Sequence, residues 1–160
     1  MKLKEILVFA GVVITTNLAA TLPGFAQNPN RSCTITPSPL NFGFYDVFST
    51  TPLTASSSLQ IACTSPGNST VQSVTTSLTR GNAPTFNPRQ MRNNANESLN
   101  YNIFTDASRT IIWGDGTNGT TTIVRNNVLT VTLPIQGAIP AGQNVRAGTY
   151  TDIINITINF

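Results

Sequence analysis

The stretch from Tyr150 to Phe160 constrains the fold more than any other part of the chain. Ile154, Ile156, Ile158 and Phe160 occupy one side of a period-two pattern, with Asn155, Thr157 and Asn159 on the other and Ile153 as the one break. A helix scatters such residues around its axis, whereas a strand collects them on one face. An apolar sheet face must be covered by a second layer. Two outcomes stay open for the four residues. They fill a core supplied by their own chain, or they line a groove that another chain's strand covers, since unpaired strand edges beside apolar side chains recruit partners.

The same period recurs upstream. Leu59, Ile61 and Cys63 alternate with Gln60 and Ala62, Leu99, Tyr101 and Ile103 with Asn100 and Asn102, and Leu129, Val131 and Leu133 with Thr130 and Thr132. Val71 to Thr79 is a further strand with Val74, Thr76 and Leu78 inward, and Thr34 to Thr36 with Leu40 to Phe44 supplies one or two more. Pro37-Ser38-Pro39, Ser65-Pro66-Gly67-Asn68, Asp115-Gly116, Asn118-Gly119 and Pro140-Ala141-Gly142 separate these runs. Asp-Gly and Asn-Gly tolerate the positive φ of tight turns, which predicts a hairpin tip within Trp113 to Thr122. Residues 80–96, with Gly81, Pro84, Pro88 and several asparagines, read as a long surface loop. Thr, Ser and Asn dominate the body while lysine is absent beyond Lys4, a composition for strands and turns. The expected architecture is one all-β domain of two packed sheets.

The chemistry of catalysis is thinly supplied. The chain has no histidine, two cysteines and 9% charged residues. General acid–base work needs a titratable group poised near the operating pH, and the usual one is missing. Asp46, Glu97, Asp106, Asp115 and Asp152 are widely spaced, and there is no Ser-His-Asp set, no G-x-S-x-G elbow and no phosphate-binding glycine loop. Arg80, Arg89 and Arg92 sit in the long loop while Arg31, Arg109, Arg125 and Arg146 are scattered, which does not make a nucleic-acid surface. The reading is a protein that is not an enzyme, has no catalytic residues, no metal and no cofactor. Tyr101, Trp113 and Tyr150 read as core or sheet-rim aromatics rather than a glycan platform, and Asp106 and Arg109 as stabilisers of their own turn.

The front end has the order of an export signal. Lys2 and Lys4 precede the apolar run Ile6 to Ile14, and Gly24-Phe25-Ala26 places small residues where a signal peptidase reads them. The run is too short to span a bilayer. The expected division is a signal peptide, 1–26, and a mature domain, 27–160, reaching the periplasm first and then the cell surface or exterior. In that oxidising setting Cys33 and Cys63 are expected to form a disulfide.

Longer strings carry a resemblance. Tyr101-Asn102-Ile103-Phe104-Thr105-Asp106-Ala107-Ser108-Arg109-Thr110 followed by Trp113-Gly114-Asp115-Gly116 resembles the signature of the spore coat protein U domain, found also in subunits of archaic chaperone-usher pili. Ile139-Pro140-Ala141-Gly142-Gln143 through Ala147-Gly148-Thr149-Tyr150-Thr151-Asp152 to Phe160 is similar to the C-terminal signature of that family, Cys33 and Cys63 match its early disulfide, and Leu40-Asn41-Phe42-Gly43 matches the segment after the first cysteine. The resemblance implies an immunoglobulin-like sandwich lacking its final strand. It also implies a structural pilus subunit whose partners are a periplasmic chaperone, an outer-membrane usher and other subunits, with no nucleic acid and no membrane span. Ile154, Ile156, Ile158 and Phe160 are then one wall of the donor-strand groove, where main-chain bonds supply affinity and pockets select alternate side chains.

A donor segment needs about 10 residues of alternating apolar character. Between the expected cleavage and Cys33 there are only Gln27 to Ser32, polar and interrupted by Pro29. This chain is therefore expected to accept a strand rather than donate one, as a tip or terminating subunit or a secreted coat component. The alternative is a tip adhesin that binds a surface or glycan through residues 80–96 and 113–122.

Overall fold

The computed structural model describes residues 8–16 and 31–160. Ten strands form in chain order: β1 (Val8–Thr16), β2 (Ser32–Pro37), β3 (Leu40–Phe44), β4 (Leu53–Thr64), β5 (Val71–Leu78), β6 (Arg89–Arg92), β7 (Ser98–Phe104), β8 (Ile123–Val128), β9 (Thr130–Ile139) and β10 (Gly148–Asn159). They make an all-β, open sandwich. One layer runs β2-β4-β9-β7, and the other runs β8-β5-β10-β1-β3. Short β6 links the layers by pairing with β7 and, through Arg92 opposite Thr151, with β10.

Periodicity explains the layers. Leu59, Ile61 and Cys63 of β4, Leu99, Tyr101 and Ile103 of β7, and Val74, Thr76 and Leu78 of β5 are all buried, as the alternation predicts. Strand β9 places Leu133, Ile135 and Ile139 in the same core. Leu129 departs from the prediction and is exposed, because it lies between β8 and β9 and uses its carbonyl to accept the Cys63 N–H at 2.7 Å. Cys33 and Cys63 are directly opposite in the β2–β4 ladder and are bonded to each other. The layers touch closely where Gly137 of β9 passes β3: a Cβ there would come within 2.6 Å of Phe42 Cζ and 2.7 Å of Leu40 Cδ2. No side chain larger than hydrogen fits that crossing without movement.

Residues 80–96 lie largely at the surface, as expected, but are more than a plain loop. They contain strand β6, and they bury Ala83, Phe86, Arg89 and Met91. An arginine at an inward position hid the strand from a pattern search tuned to apolar residues. Trp113 likewise is fully buried, and only the turn after it, Asp115 to Thr120, projects. Asp106 does hold its own turn, accepting from the Thr110 and Ile111 N–H groups at 3.0 and 2.9 Å. Arg109 reaches further, donating from Nε to the Gly137 carbonyl of β9 at 3.1 Å.

Candidate strand-accepting groove

The two edges of strand β10 are treated differently. On one side it pairs with β5, from Ile156 opposite Leu78 to Asn159 opposite Thr75, and touches β6 at Thr151. On the other side it meets only β1, in parallel, from Val8 opposite Gly148 to Thr16 opposite Ile156. The far edge of β1 pairs antiparallel with β3, Phe9 opposite Phe44 through Val12 opposite Leu40, with a register shift between Ala10 and Gly11. Removing β1 from this order leaves β3 and β10 separated by one strand width, roughly 9.5 Å at the usual inter-strand spacing. The body from residue 31 onward is thus a sandwich with one strand missing from the middle of a sheet.

The backbone of β10 identifies which groups face the gap. The Asn155 carbonyl accepts from Thr79 N–H, and the Asn155 N–H donates to Thr79 Oγ1, both at 3.0 Å, so Asn155 faces the β5 side. Main-chain groups alternate sides along a strand. Tyr150, Asp152 and Ile154 therefore turn their N–H and C=O groups toward β1.

Apolar side chains floor the gap on both banks. Tyr150, Ile154 and Ile156 of β10 are completely buried, as is Leu40 of β3, and Phe42 is nearly so. Phe42 packs edge-on against Tyr101 with ring centroids 6.1 Å apart. Just past β3, Tyr45 Oη donates to the Pro140 carbonyl and accepts from the Gln143 N–H, both at 2.9 Å, pinning the end of the strand to the β9–β10 connection.

A polar cluster fixes the β10 bank. The Asp152 carboxylate is buried and accepts from Tyr101 Oη at 2.7 Å, Asn82 N–H at 2.9 Å and Ile153 N–H at 2.8 Å. Gly81, with φ +65°, leaves room for that carboxylate, which a Cβ would strike. Beside it the buried Arg89 guanidinium donates to Asn102 Oδ1 at 2.8 Å, to the Trp113 carbonyl at 2.6 Å and twice to the Thr79 carbonyl, with its Cζ 5.2 Å from the centre of the Phe86 ring. Burial brings the Arg89 pKa down to about 10, against the pull of Tyr101, Asp152 and Asp115. Burial also raises the Asp152 pKa, with its hydrogen bonds opposing, and holds the Tyr101 hydroxyl well above its ordinary range. These groups are satisfied and enclosed, so they serve as a brace rather than reactive chemistry. Among the described residues no group of three or more His, Cys, Asp or Glu side chains could hold a metal ion, and no helix is long and apolar enough to cross a membrane.

The residues singled out in the sequence fall at different places along this groove. Ile154 and Ile156 lie in the stretch paired with β1, Ile158 lies beyond it opposite Thr76, and Phe160 follows the end of β10 and is 47% exposed. The expected cleavage after Ala26 and the tail Gln27 to Asn30 lie outside the described residues. The apolar run expected to be the signal core contributes β1, because an unpaired strand edge on each side offers it main-chain partners. Sequence reasoning missed Asp152 and Arg89. Asp152 shares the parity of Tyr150, Ile154 and Ile156, and that was the available signal of a buried carboxylate.

Comparison with known proteins agrees with this architecture. One chain of the CsuC-CsuE chaperone-tip adhesion subunit pre-assembly complex, from archaic chaperone-usher Csu pili of Acinetobacter baumannii, superposes with a TM-score of 0.57 at 25% identity over 81% of this chain. The match spans only 40% of that chain's length. Protein U of Myxococcus xanthus is 33% identical over 133 residues, covering 76% of this chain and 71% of its own. Residues 15–157, from the end of β1 almost to the end of β10, match the Spore Coat Protein U domain, and this chain, with its disulfide and open sandwich, belongs to that family.

Proposed function

We propose that this protein is a non-enzymatic structural subunit of a surface pilus built by the chaperone-usher route, and that the gap between β3 and β10 is where it accepts a partner's strand. The observation that carries the reading is the β10 edge: Tyr150, Asp152 and Ile154 turn main-chain groups toward the one-strand position between β3 and β10 that β1 fills, next to apolar side chains that are buried with β1 in place. Ile154 and Ile156 form the central part of the groove wall, with Ile158 and Phe160 continuing it toward the C-terminus. The periplasmic chaperone fills the gap first and another subunit replaces it at the usher, a strand-addition exchange in which ladder bonds give affinity. The likeness in fold to a chain of a chaperone–subunit complex and the family membership support this assignment.

The remaining parts of the reading follow the same logic. Residues 1–26 direct export and are cut after Ala26, and the domain from Gln27 passes through the periplasm to the cell surface. The short, proline-interrupted segment ahead of Cys33 makes this subunit an acceptor, suited to a tip or terminating position. Producing the exported chain with and without a chaperone of this class, and measuring soluble monomer in the periplasm, tests the assignment. A chaperone-dependent rise of several-fold, with co-purification of the pair, is expected. Equal yield and equal Tm in both cases overturn it.

A second reading, adhesion to a surface, keeps the exposed turn Asp115 to Gly119 within the expected 113–122 and gains a further loop. Residues 80–96 anchor Ala83, Phe86, Arg89 and Met91 in the body while Asn82, Pro84, Thr85, Asn87, Pro88 and Asn94 to Asn96 stay exposed, and the β3–β4 connection carries Phe48 at 79% exposure, the most exposed large apolar side chain described. Phe48→Ser in assembled pili tests whether this loop contacts the surface. Adhesion unchanged by that substitution removes this loop from the reading.

A further inference from the structure

The groove is occupied here, and its occupant is part of the same chain. Strand β1 runs through nine consecutive register pairs with β10 without a break, while its other edge meets four residues of β3. Its single register shift falls at Gly11, where an added Cβ would meet nothing within 4 Å. The paired positions Ala10, Val12, Ile14 and Thr16 lie opposite Tyr150, Asp152, Ile154 and Ile156, the β10 residues whose side chains are buried. A segment of this length satisfies both open edges at once, which no loop of the body does.

We propose that Val8–Thr16 closes the groove in cis while it remains attached, so that the uncut chain is self-complemented and shut to strands from other molecules. Cutting the chain between Thr16 and Cys33 then turns an intramolecular contact into a dissociable one, and the groove opens. An attached strand acts at an effective concentration that a free one cannot match. The inference rests on the groove reading above and adds its regulation: removal of the leader is the step that licenses strand acceptance.

Hydrogen exchange on the full-length chain, oxidatively refolded, tests this. The amides of Tyr150, Asp152 and Ile154 are the reporters, because they face β1. Wild type is compared with Gly11→Pro/Val12→Pro, in which adjacent prolines remove one ladder donor on each edge of β1. Exchange at the three amides is expected to be at least about tenfold faster in the double proline variant, with β4 and β9 amides unchanged as the check on folding. Fast exchange in both chains overturns the inference and leaves the groove intact. Slow exchange in both overturns the inference and the groove reading together, since the body then closes its own gap. A variant that does not fold is bypassed by oxidative crosslinking in the full chain. Gly11→Cys/Thr151→Cys, in register, is expected to crosslink, and Gly11→Cys/Asn159→Cys, out of register, is not. Equal crosslinking of the two pairs overturns the proposal.

Discussion

The β4–β9 pairing and the β10–β1 pairing are of similar length and are built on opposite principles. β4 and β9 pair through ten residues, from Leu53 opposite Ile139 to Ala62 opposite Thr130, within the contiguous body. The disulfide locks β2 to the same layer, and Arg109 donates to the β9 carbonyl of Gly137. β10 and β1 pair through nine residues that come from opposite ends of the chain. One layer is finished by residues that fold together. The other is finished by a segment that the body does not need for its disulfide, its turns or its polar brace. The lesson is that one layer is completed from within the body and the other by β1: the side chains of β3 and β10 are buried with β1 in place, and β1 is also what pairs their main chains.

The largest expected effect breaks the open side. Ile156→Asp places an unpaired carboxylate at a completely buried position beside the gap, and a loss of about 4 kcal/mol or more is expected from burying such a charge. Capture by a strand-donating partner should be abolished with it; retained co-purification would show that the wall lies elsewhere. Next, the closed side is loosened by Cys33→Ser/Cys63→Ser. Freeing a loop with sequence separation 30 should cost about 3 to 4 kcal/mol in the chain-entropy picture, read as a lower urea midpoint with partner binding preserved once folded. Gly137→Ala tests the contact between layers. The added methyl meets Phe42 and Leu40, and about 1 to 3 kcal/mol of overpacking cost is expected, displacing β3 and weakening strand capture more than it lowers Tm. An unaltered affinity would mean that β3 does not set the width of the gap.

The smallest effect concerns pH. The Asp152 carboxyl, raised above the ordinary carboxylate range chiefly by burial, holds its proton more tightly in the folded chain than in the unfolded one. Its contribution to stability is therefore full below the unfolded pKa and declines as pH rises through the folded value. Asp152→Asn should flatten that part of the stability profile measured by denaturant melts across the acid-to-neutral range. An unchanged slope would assign the dependence to other carboxylates.

Much of the fold could be read from period-two alternation, because β4, β5, β7 and β10 each pair a wet face with an apolar one. The cysteine pair could also be read, as the sole pair of a chain expected to be exported. Two features resisted. Strand β6 has an arginine inward at Arg89, so its pattern looks polar, and only the tertiary supply of carbonyls from Thr79 and Trp113 makes that burial tolerable. The pairing partner of β10 was also hidden, since alternation reports a buried face and is silent about which edge of a strand is free. The family resemblance filled that silence with a groove, and the β3–β1–β10 order shows which strands flank the proposed position.

Strand β3 has its only ladder, among the described strands, with β1. It is otherwise held by what hangs beneath it: Leu40 and Phe42 against β9, and the Tyr45 hydroxyl against Pro140. β10, by contrast, is clamped by β5, β6 and the Asp152 brace. If the proposed groove accepts a strand, the incoming segment would meet one bank held on several sides and one held mainly from beneath. On the proposed reading the first would dictate where each residue lands and the second would adjust to how thick the newcomer is, so that a single subunit could grip successive occupants of different sequence without rebuilding its interior.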